Sequence, residues 1–391
     1  MDPGFLTPLF ERPGPWASVY FETPRASEDA AARQELQARG ASEQLAEQGA
    51  DDATCRAVHD TLATLPRSER APGRAVFAAA GEVVLDPALT APPPGGTTAW
   101  WAPLPHLKPL LELADRKPSC LVAYIDRTGA DFEMSTPLGS FHAGGVEGDD
   151  WPVHRTPSKD WSEKHHQQDV ENTWERNAAV IAEGLAACYD ETRAELLVLA
   201  GDPRERRAVH DRLPPQLKEL AVETSHGGRA RGSESPKLDE EIEELRTAHA
   251  DHRVREAMER FRAGRAADDE GRTDAVEGVP ALVEAAREHR LDLLLLRPDG
   301  PELHREVWVG REPDQIAVRS TEVQYLGDTE PVSARADDAL LRAAAATGAR
   351  VLAVPTVDDS THDLPVGGLG ALLRWPADGP AAGETEGEVH A

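Results

Sequence analysis

Along the chain, apolar positions switch repeatedly between a two-residue and a 3.6-residue period, the mark of a mixed α/β protein. Residues 16–21 (Trp-Ala-Ser-Val-Tyr-Phe) read as a strand that Thr23-Pro24 ends. A helical stretch follows from 27 to 65, with Gly40 and Gly49 expected to break it into pieces. Residues 75–80 and 83–85 form a hairpin about Gly81-Glu82, and the prolines and glycines at 92–96 a stiff polar loop.

The run 121–126 is a buried strand, Arg127-Thr128-Gly129 a turn, and 131–136 the returning strand. Residues 137–160 are polar and glycine-rich and read as one long loop. A loop of that length inside a domain tends to be functional. Trp174, Ala178, Ile181 and Leu185 recur at helical spacing in a helix from about 161 to 189. A strand at 195–200 precedes Asp202, an N-cap ahead of Pro203. The helix after it ends near Pro214, and 220–223 is another strand, completing an α/β layer.

Residues 225–232 form a Gly/Arg loop before a charged helix at 237–262 and a flexible stretch at 264–274. The last third reads as helix 275–289, strands 292–297 and 305–309, helix 336–347 capped by Gly348, strand 350–354, a glycine turn at 367–370 and a closing run at 371–375. That is an α/β/α sandwich of about 100 residues, a common domain size. The expected organisation is therefore an N-terminal α/β domain (1–113), a middle domain (118–235) carrying the loop 137–160, a charged helix and linker (236–272), a C-terminal domain (273–376) and a disordered acidic tail (377–391).

Composition narrows the picture. Lys and Arg number 42 against 70 Asp and Glu, a net charge of −28. Such a chain repels phosphate at long range, so no general DNA-binding coat is expected, and any nucleic-acid contact must be local. No apolar run approaches the ~20 residues needed to cross a bilayer. The opening Met-Asp-Pro-Gly has no basic region leading into an apolar one, so no secretory signal is expected. Three scattered cysteines without CxxC spacing form neither a disulfide framework nor a zinc knuckle, and fit a reducing cytoplasm.

Candidate chemistry is sparse. His165 and His166 are adjacent and point about 100° apart on a helix. His249 and His252 share a face but lack a third ligand, so no metal or other cofactor is expected. A GxSxG elbow is missing. Gly367-Gly-Leu-Gly lacks phosphate-loop spacing and reads as a turn. The segment 141–166 stands out: His142, His154, Arg155, Lys159, Lys164, His165 and His166 interleave with Glu147, Asp149, Asp150, Asp160 and Glu163. A partly basic loop running into a helix can meet RNA phosphates through its cations and the free helix N–H groups. It equally fits a solvated surface loop.

One resemblance covers most of the chain. Pro15-Trp-Ala-Ser-Val-Tyr-Phe, Trp101-Ala-Pro-Leu-Pro-His-Leu-Lys-Pro-Leu-Leu, Tyr124-Ile-Asp-Arg-Thr-Gly-Ala-Asp, Trp161-Ser162 with Glu171-Asn-Thr-Trp-Glu-Arg-Asn177, and Gly370-Ala-Leu-Leu-Arg-Trp375 follow one another in an order resembling the bacterial archaeo-eukaryotic release factor/Pelota family. The likeness is to its actinobacterial branch, related to the ribosome hibernation factor Balon. It implies a three-domain α/β architecture with an RNase H-like middle domain and a C-terminal domain like kink-turn-binding proteins. Release factors of this kind carry Gly-Gly-Gln at the loop tip, where the amide orients water against the peptidyl-tRNA ester. Here the glutamine position falls on Trp161 and the glycines on Lys159 and Asp160. A second register uses Gly144-Gly145 before Val146, and neither supplies glutamine.

The resemblance thus implies a non-catalytic ribosome-associated factor, binding ribosomal RNA at the aminoacyl-tRNA (A) site as a monomer during stress or hibernation. Elongation factor Tu is its implied protein partner. His154, Arg155, Lys159, Asp160, Trp161, Ser162, Lys164, His165, Arg229 and Arg231 are the expected RNA contacts. Trp161 is placed either to stack on a base or to anchor the helix start. The alternatives are a peptidyl-tRNA hydrolase with a rebuilt loop, using His154 or His165 as base, and a scaffold without ribosome binding.

Overall fold

The computed structural model describes residues 6–24, 29–66, 72–93, 95–116, 118–136, 139–148, 162–227, 236–355 and 364–378. The fold is mixed α/β with four sheets among these residues. It divides into two compact units, 1–115 with 252–391, and 116–251.

The first unit opens with a short helix α1 (Thr7–Phe10) and strand β1 (Trp16–Glu22). Helices α2 (Ala30–Glu47) and α3 (Asp52–Thr64) follow, then β2 (Gly73–Ala79), β3 (Glu82–Leu85), β4 (Ala88–Leu89), β5 (Thr98–Ala102) and α4 (Lys108–Arg116). The antiparallel sheet runs β3-β2-β1-β5, with β4 also on β2. Val19, Phe21 and Val76 meet Ala38, Leu45, Val58 and Leu62 of α2 and α3 on one face. On the other face, Ser18 and Tyr20 hold the backbone of His106. Cover on both faces buries β1 through six of its seven residues, unlike the usual one-sided antiparallel strand.

The expected break at Gly40 does not occur. The helix passes through it and ends before Gly49, whose φ is +92°. A mid-helix glycine costs only ~1 kcal/mol, and the neighbouring Ala38 and Ala41 bury against the sheet. Asp51 then caps α3, accepting from the N–H groups of Ala53 and Thr54 at 3.1 and 2.9 Å.

The second unit comprises β6 (Cys120–Ile125), β7 (Gly129–Thr136), β8 (Gly139–Glu147), α5 (Ser162–Thr192), β9 (Leu196–Gly201), α6 (Pro203–His210), α7 (Pro215–Leu220), β10 (Ala221–Glu223) and the first part of α8 (Pro236–Gly264). The sheet order is β10-β9-β6-β7-β8, RNase H-like, with β6, β7 and β8 antiparallel and β9 and β10 parallel to β6. Ile181, Leu185 and Val209 pack on one face, Leu238 and Ile242 on the other.

Strand β8 corrects the expectation of one continuous loop from 137 to 160. Its polar, glycine-rich residues hide the pattern, but Ala143 and Val146 pack on the core under α5. A Cβ on Gly184 of α5 would lie 2.3 Å from Val146, so the missing side chain lets strand and helix close.

In the first unit, β11 (Arg272–Glu277), α9 (Val279–Arg287), β12 (Leu291–Leu296), β13 (Glu306–Val309), β14 (Ile316–Ala317), α10 (Ser320–Tyr325), β15 (Val332–Arg335), α11 (Ala336–Ala346), β16 (Arg350–Ala353) and β17 (Leu369–Asp378) follow α8. The larger sheet runs β11-β17-β12-β16 and the smaller β14-β13-β15. Met258 and Phe261 of α8 pack on Leu293, Leu295 and Leu372. The expected helix 275–289 is instead a strand, β11, and a shorter helix. Gly278, at φ +81°, breaks the chain between them, and Thr273 and Ala275 alternate inward. Strand β17 runs through Ala377 and Asp378, and the rest of the acidic tail lies outside the described residues.

Candidate functional site

The described part of the site is a platform at the end of β8, where the segment 149–161 departs. At the end of β6, Asp126 Oδ1 accepts from the N–H groups of Thr128 and Gly129 at 2.7 and 2.9 Å and from the Thr128 hydroxyl at 2.8 Å. A carboxylate taking three donors fixes this tight turn. The turn then gathers its neighbours. The Thr128 carbonyl accepts from Gly148 N–H at 2.7 Å, which anchors the end of β8. The Arg127 carbonyl accepts from Asn177 Nδ2 of α5 at 2.9 Å, and Arg127 Nε donates to Glu205 of α6 at 2.9 Å.

Asn177 is 3% exposed and Glu205 7%. A Cβ on Gly148 would meet the Asn177 amide at 2.4 Å, so glycine is needed where β8 passes α5. Burial raises the Glu205 pKa, against the pull of the Arg127 hydrogen bond. The platform joins a strand end, a turn and two helices through groups whose partners are fixed, which makes it a rigid base.

The sequence-based contacts fall at the edge of this picture. His154, Arg155, Lys159, Asp160, Trp161, Arg229 and Arg231 lie outside the described residues. Ser162, Lys164 and His165 belong to the first turn of α5, whose backbone is helical. Gly144 and Gly145 are not at a loop tip. They pair with Phe132 and Asp131 inside β8, which removes the second Gly-Gly register. Gly367 and Gly368, at φ +68° and +88°, form the expected turn, packed against Glu302 and Gly300.

A second polar cluster, not foreseen from the sequence, lies in the first unit. His106 Nδ1 is 3.1 Å from Asp338 Oδ2, and Leu107 N–H donates to Asp338 Oδ1 at 3.3 Å. Arg335 grips Asp337 in two bonds of 3.0 and 2.6 Å and stands 3.6 Å from Asp338. The His and two Asp ligand atoms lie within 4.8 Å of one another, close enough to share a cation. The Arg335 guanidinium already supplies positive charge to both carboxylates, so the cluster is a salt-bridged clasp. The hint in the sequence was an Asp-Asp pair opening helix α11, whose other residues apart from Arg342 are apolar.

Beside the clasp, a cavity of about 220 Å³ is lined by Leu104, His304, Ser333, Arg335 and Asp338. A larger groove of about 1090 Å³ in the same unit runs past Pro13, Trp16, Val309, Pro313 and Arg342. Among the described residues, no helix is long and apolar enough to cross a membrane.

Comparisons with known proteins reach the second unit and most of the rest of the chain. Residues 119–267 match the sequence profile of bacterial archaeo-eukaryotic release factor family 2. An uncharacterized protein of Mycobacterium tuberculosis, found in two strains, is 28% identical over 376 residues, covering 93% of this chain and 94% of its own. Among solved structures, Saccharomyces cerevisiae Dom34, a translation termination-like factor, aligns with 78% of this chain and 80% of its own at 12% identity and a TM-score of 0.38. An archaeal Pelota, from a model of its ribosome-bound form with ABCE1, aligns with 95% of this chain and 93% of its own at 15% identity and a TM-score of 0.37.

Proposed function

We propose that this chain, a bacterial archaeo-eukaryotic release factor-like protein through its middle segment, acts on the ribosome as a translation factor of the release factor/Pelota type. The observation that carries the reading is that the matched segment holds the whole platform together with the connection 149–161 that it roots. A segment that leaves a rigid base has less freedom to lose on entering a narrow RNA cleft.

The finer reading is a non-catalytic factor. Between residues 139 and 166 there is no glutamine, so the amide that would orient water against an ester has no source in that segment. Trp161 and Lys159 fit base stacking and phosphate contact, which points to occupation of the aminoacyl-tRNA site. The role is that of a stress or hibernation factor, monomeric and cytoplasmic, with elongation factor Tu as a candidate partner.

Co-sedimentation with bacterial ribosomes tests this. The wild-type chain is expected to pellet with ribosomes at low salt. Trp161→Ala is expected to weaken binding at least fivefold, since stacking on a base is worth about 1–3 kcal/mol, and Lys159→Glu to weaken it too, since it sets a carboxylate against phosphate. A chain that stays in the supernatant at every salt concentration overturns the proposal. Single-turnover release from peptidyl-tRNA separates the enzymatic alternative: release that disappears in His154→Ala or His165→Ala makes the protein a hydrolase.

A further inference from the structure

We infer that α6 and the turn beside it form a second RNA-phosphate surface, separate from the loop contacts. The inference deepens the ribosomal reading and adds residues to it. In a chain with 70 acidic and 42 basic side chains, the stretch from Pro203 to Arg212 reverses the balance, with four arginines against Glu205 and Asp211.

The geometry concentrates the positive charge further. Glu205 points inward, 7% exposed, and is taken by Arg127, whose own side chain is 65% exposed. That pair hides the carboxylate and leaves the guanidinium at the surface. Arg204 and Arg207 are three residues apart and both exposed, so they share one outward stripe of the helix. Among the described residues, Arg207 pairs with Asp211 at 3.3 Å and Arg212 with Glu175 at 3.8 Å, while Arg212 also donates to the Ala208 carbonyl at 2.9 Å. Both pairs are solvent-exposed, and such pairs are weak enough to exchange for phosphate oxygens.

Beneath the stripe lies Arg206. It is 6% exposed, and its Nε and Nη1 have no hydrogen-bond partner. No ion pair of Arg206 occurs among the described residues. Buried charges are ordinarily paired, so an uncompensated guanidinium here strengthens the field of the face above it. Arginine forks suit phosphate oxygens, and contacts of this kind position a protein on RNA without reading its sequence. The face belongs to the same unit as the loop platform, linked to it through Arg127 and Glu205. Its expected role is to grip the RNA backbone while the loop engages its own target.

The test is the salt dependence of binding, measured for the full chain and for the Arg204→Glu/Arg207→Glu double variant. Two probes are used: bacterial ribosomes by co-sedimentation, and a labelled RNA hairpin by fluorescence anisotropy. Glutamate suits a helix's first turn, so the Arg204 change does not threaten α6, and circular dichroism checks that the double variant is folded. Removing one arginine–phosphate pair is expected to make the slope of log K against log salt shallower by about 0.7 to 0.9. The double variant should therefore lose between one and two units of slope on both probes and bind at least tenfold more weakly at low salt.

Wild-type and variant slopes that agree on ribosomes overturn the inference and leave the ribosomal reading intact. Binding to the hairpin that depends on the arginines, with no binding to ribosomes, keeps the surface and overturns the ribosomal reading. A chain that binds neither probe overturns both.

Discussion

Asp338 shows how much a single buried side chain can carry. Its carboxylate has 2% of its side-chain surface exposed and faces His106, Arg335 and the carboxylate of Asp337. Burial, followed by repulsion from Asp337, raises its pKa, while His106 pulls it down. In the unfolded chain an aspartate titrates near 3.9. Between that value and the raised one, the folded protein holds more protons than the unfolded, so stability falls as pH rises through this window. Chemical denaturation from pH 4 upward should show that decline, and Asp338→Asn should flatten it. A slope unchanged by the substitution means that another group titrates. Asp338→Ala, which strips His106 and Leu107 N–H of their acceptor, should cost about 3 kcal/mol. The clasp is not legible in the sequence, because its two halves are 232 residues apart and no local period links them.

Element by element, the pattern of the chain was legible where an apolar run or an apolar face met a core. Strands β1, β2, β6, β9 and β12 and helices α5, α8 and α11 lie close to where the sequence places them. The failures share a cause: local signals that tertiary packing overrides. Strand β8 is glycine-rich and exposed along much of its length, so its two inward residues could not mark it. The turn Asp126–Gly129 was legible as a turn, but not as the meeting point of Asn177, Gly148 and Glu205, which depends on how α5 and α6 cross the sheet. Gly40 gives a direct test of the overridden break in α2. A Cβ there would meet nothing within 4 Å, and the helix is continuous through it. Gly40→Ala should therefore stabilise the protein by about 0.5 to 1 kcal/mol, through helix propensity and a less flexible unfolded chain. Urea melts should show a higher midpoint at unchanged slope. A lower midpoint means that the helix needs the glycine.

At the scale of the whole molecule, the net charge of −28 acts in two directions at once. Within the folded chain, 70 acidic groups repel one another across a surface only partly laced by ion pairs, and compactness raises that repulsion. Toward RNA, the same surplus repels phosphate, so the proposed binding would rest on a few local cations whose attraction must exceed the background. Salt screens both effects, with a Debye length of about 10 Å at 0.1 M. The consequences have opposite signs. Raising sodium chloride from about 20 to 200 mM should raise the melting temperature, because self-repulsion weakens more than the sparse surface pairs do. The same change should weaken the proposed ribosome binding by at least tenfold, because sodium ions would compete with the arginines for the phosphates. Thermal melts and sedimentation on one salt series test the pair together. If stability and binding fall in parallel, the protein is held together by its surface ion pairs and the acidic body is not the source of strain. If binding rises with salt, the contact is apolar, and neither the arginine face nor the basic residues of 154–164 hold the ribosome.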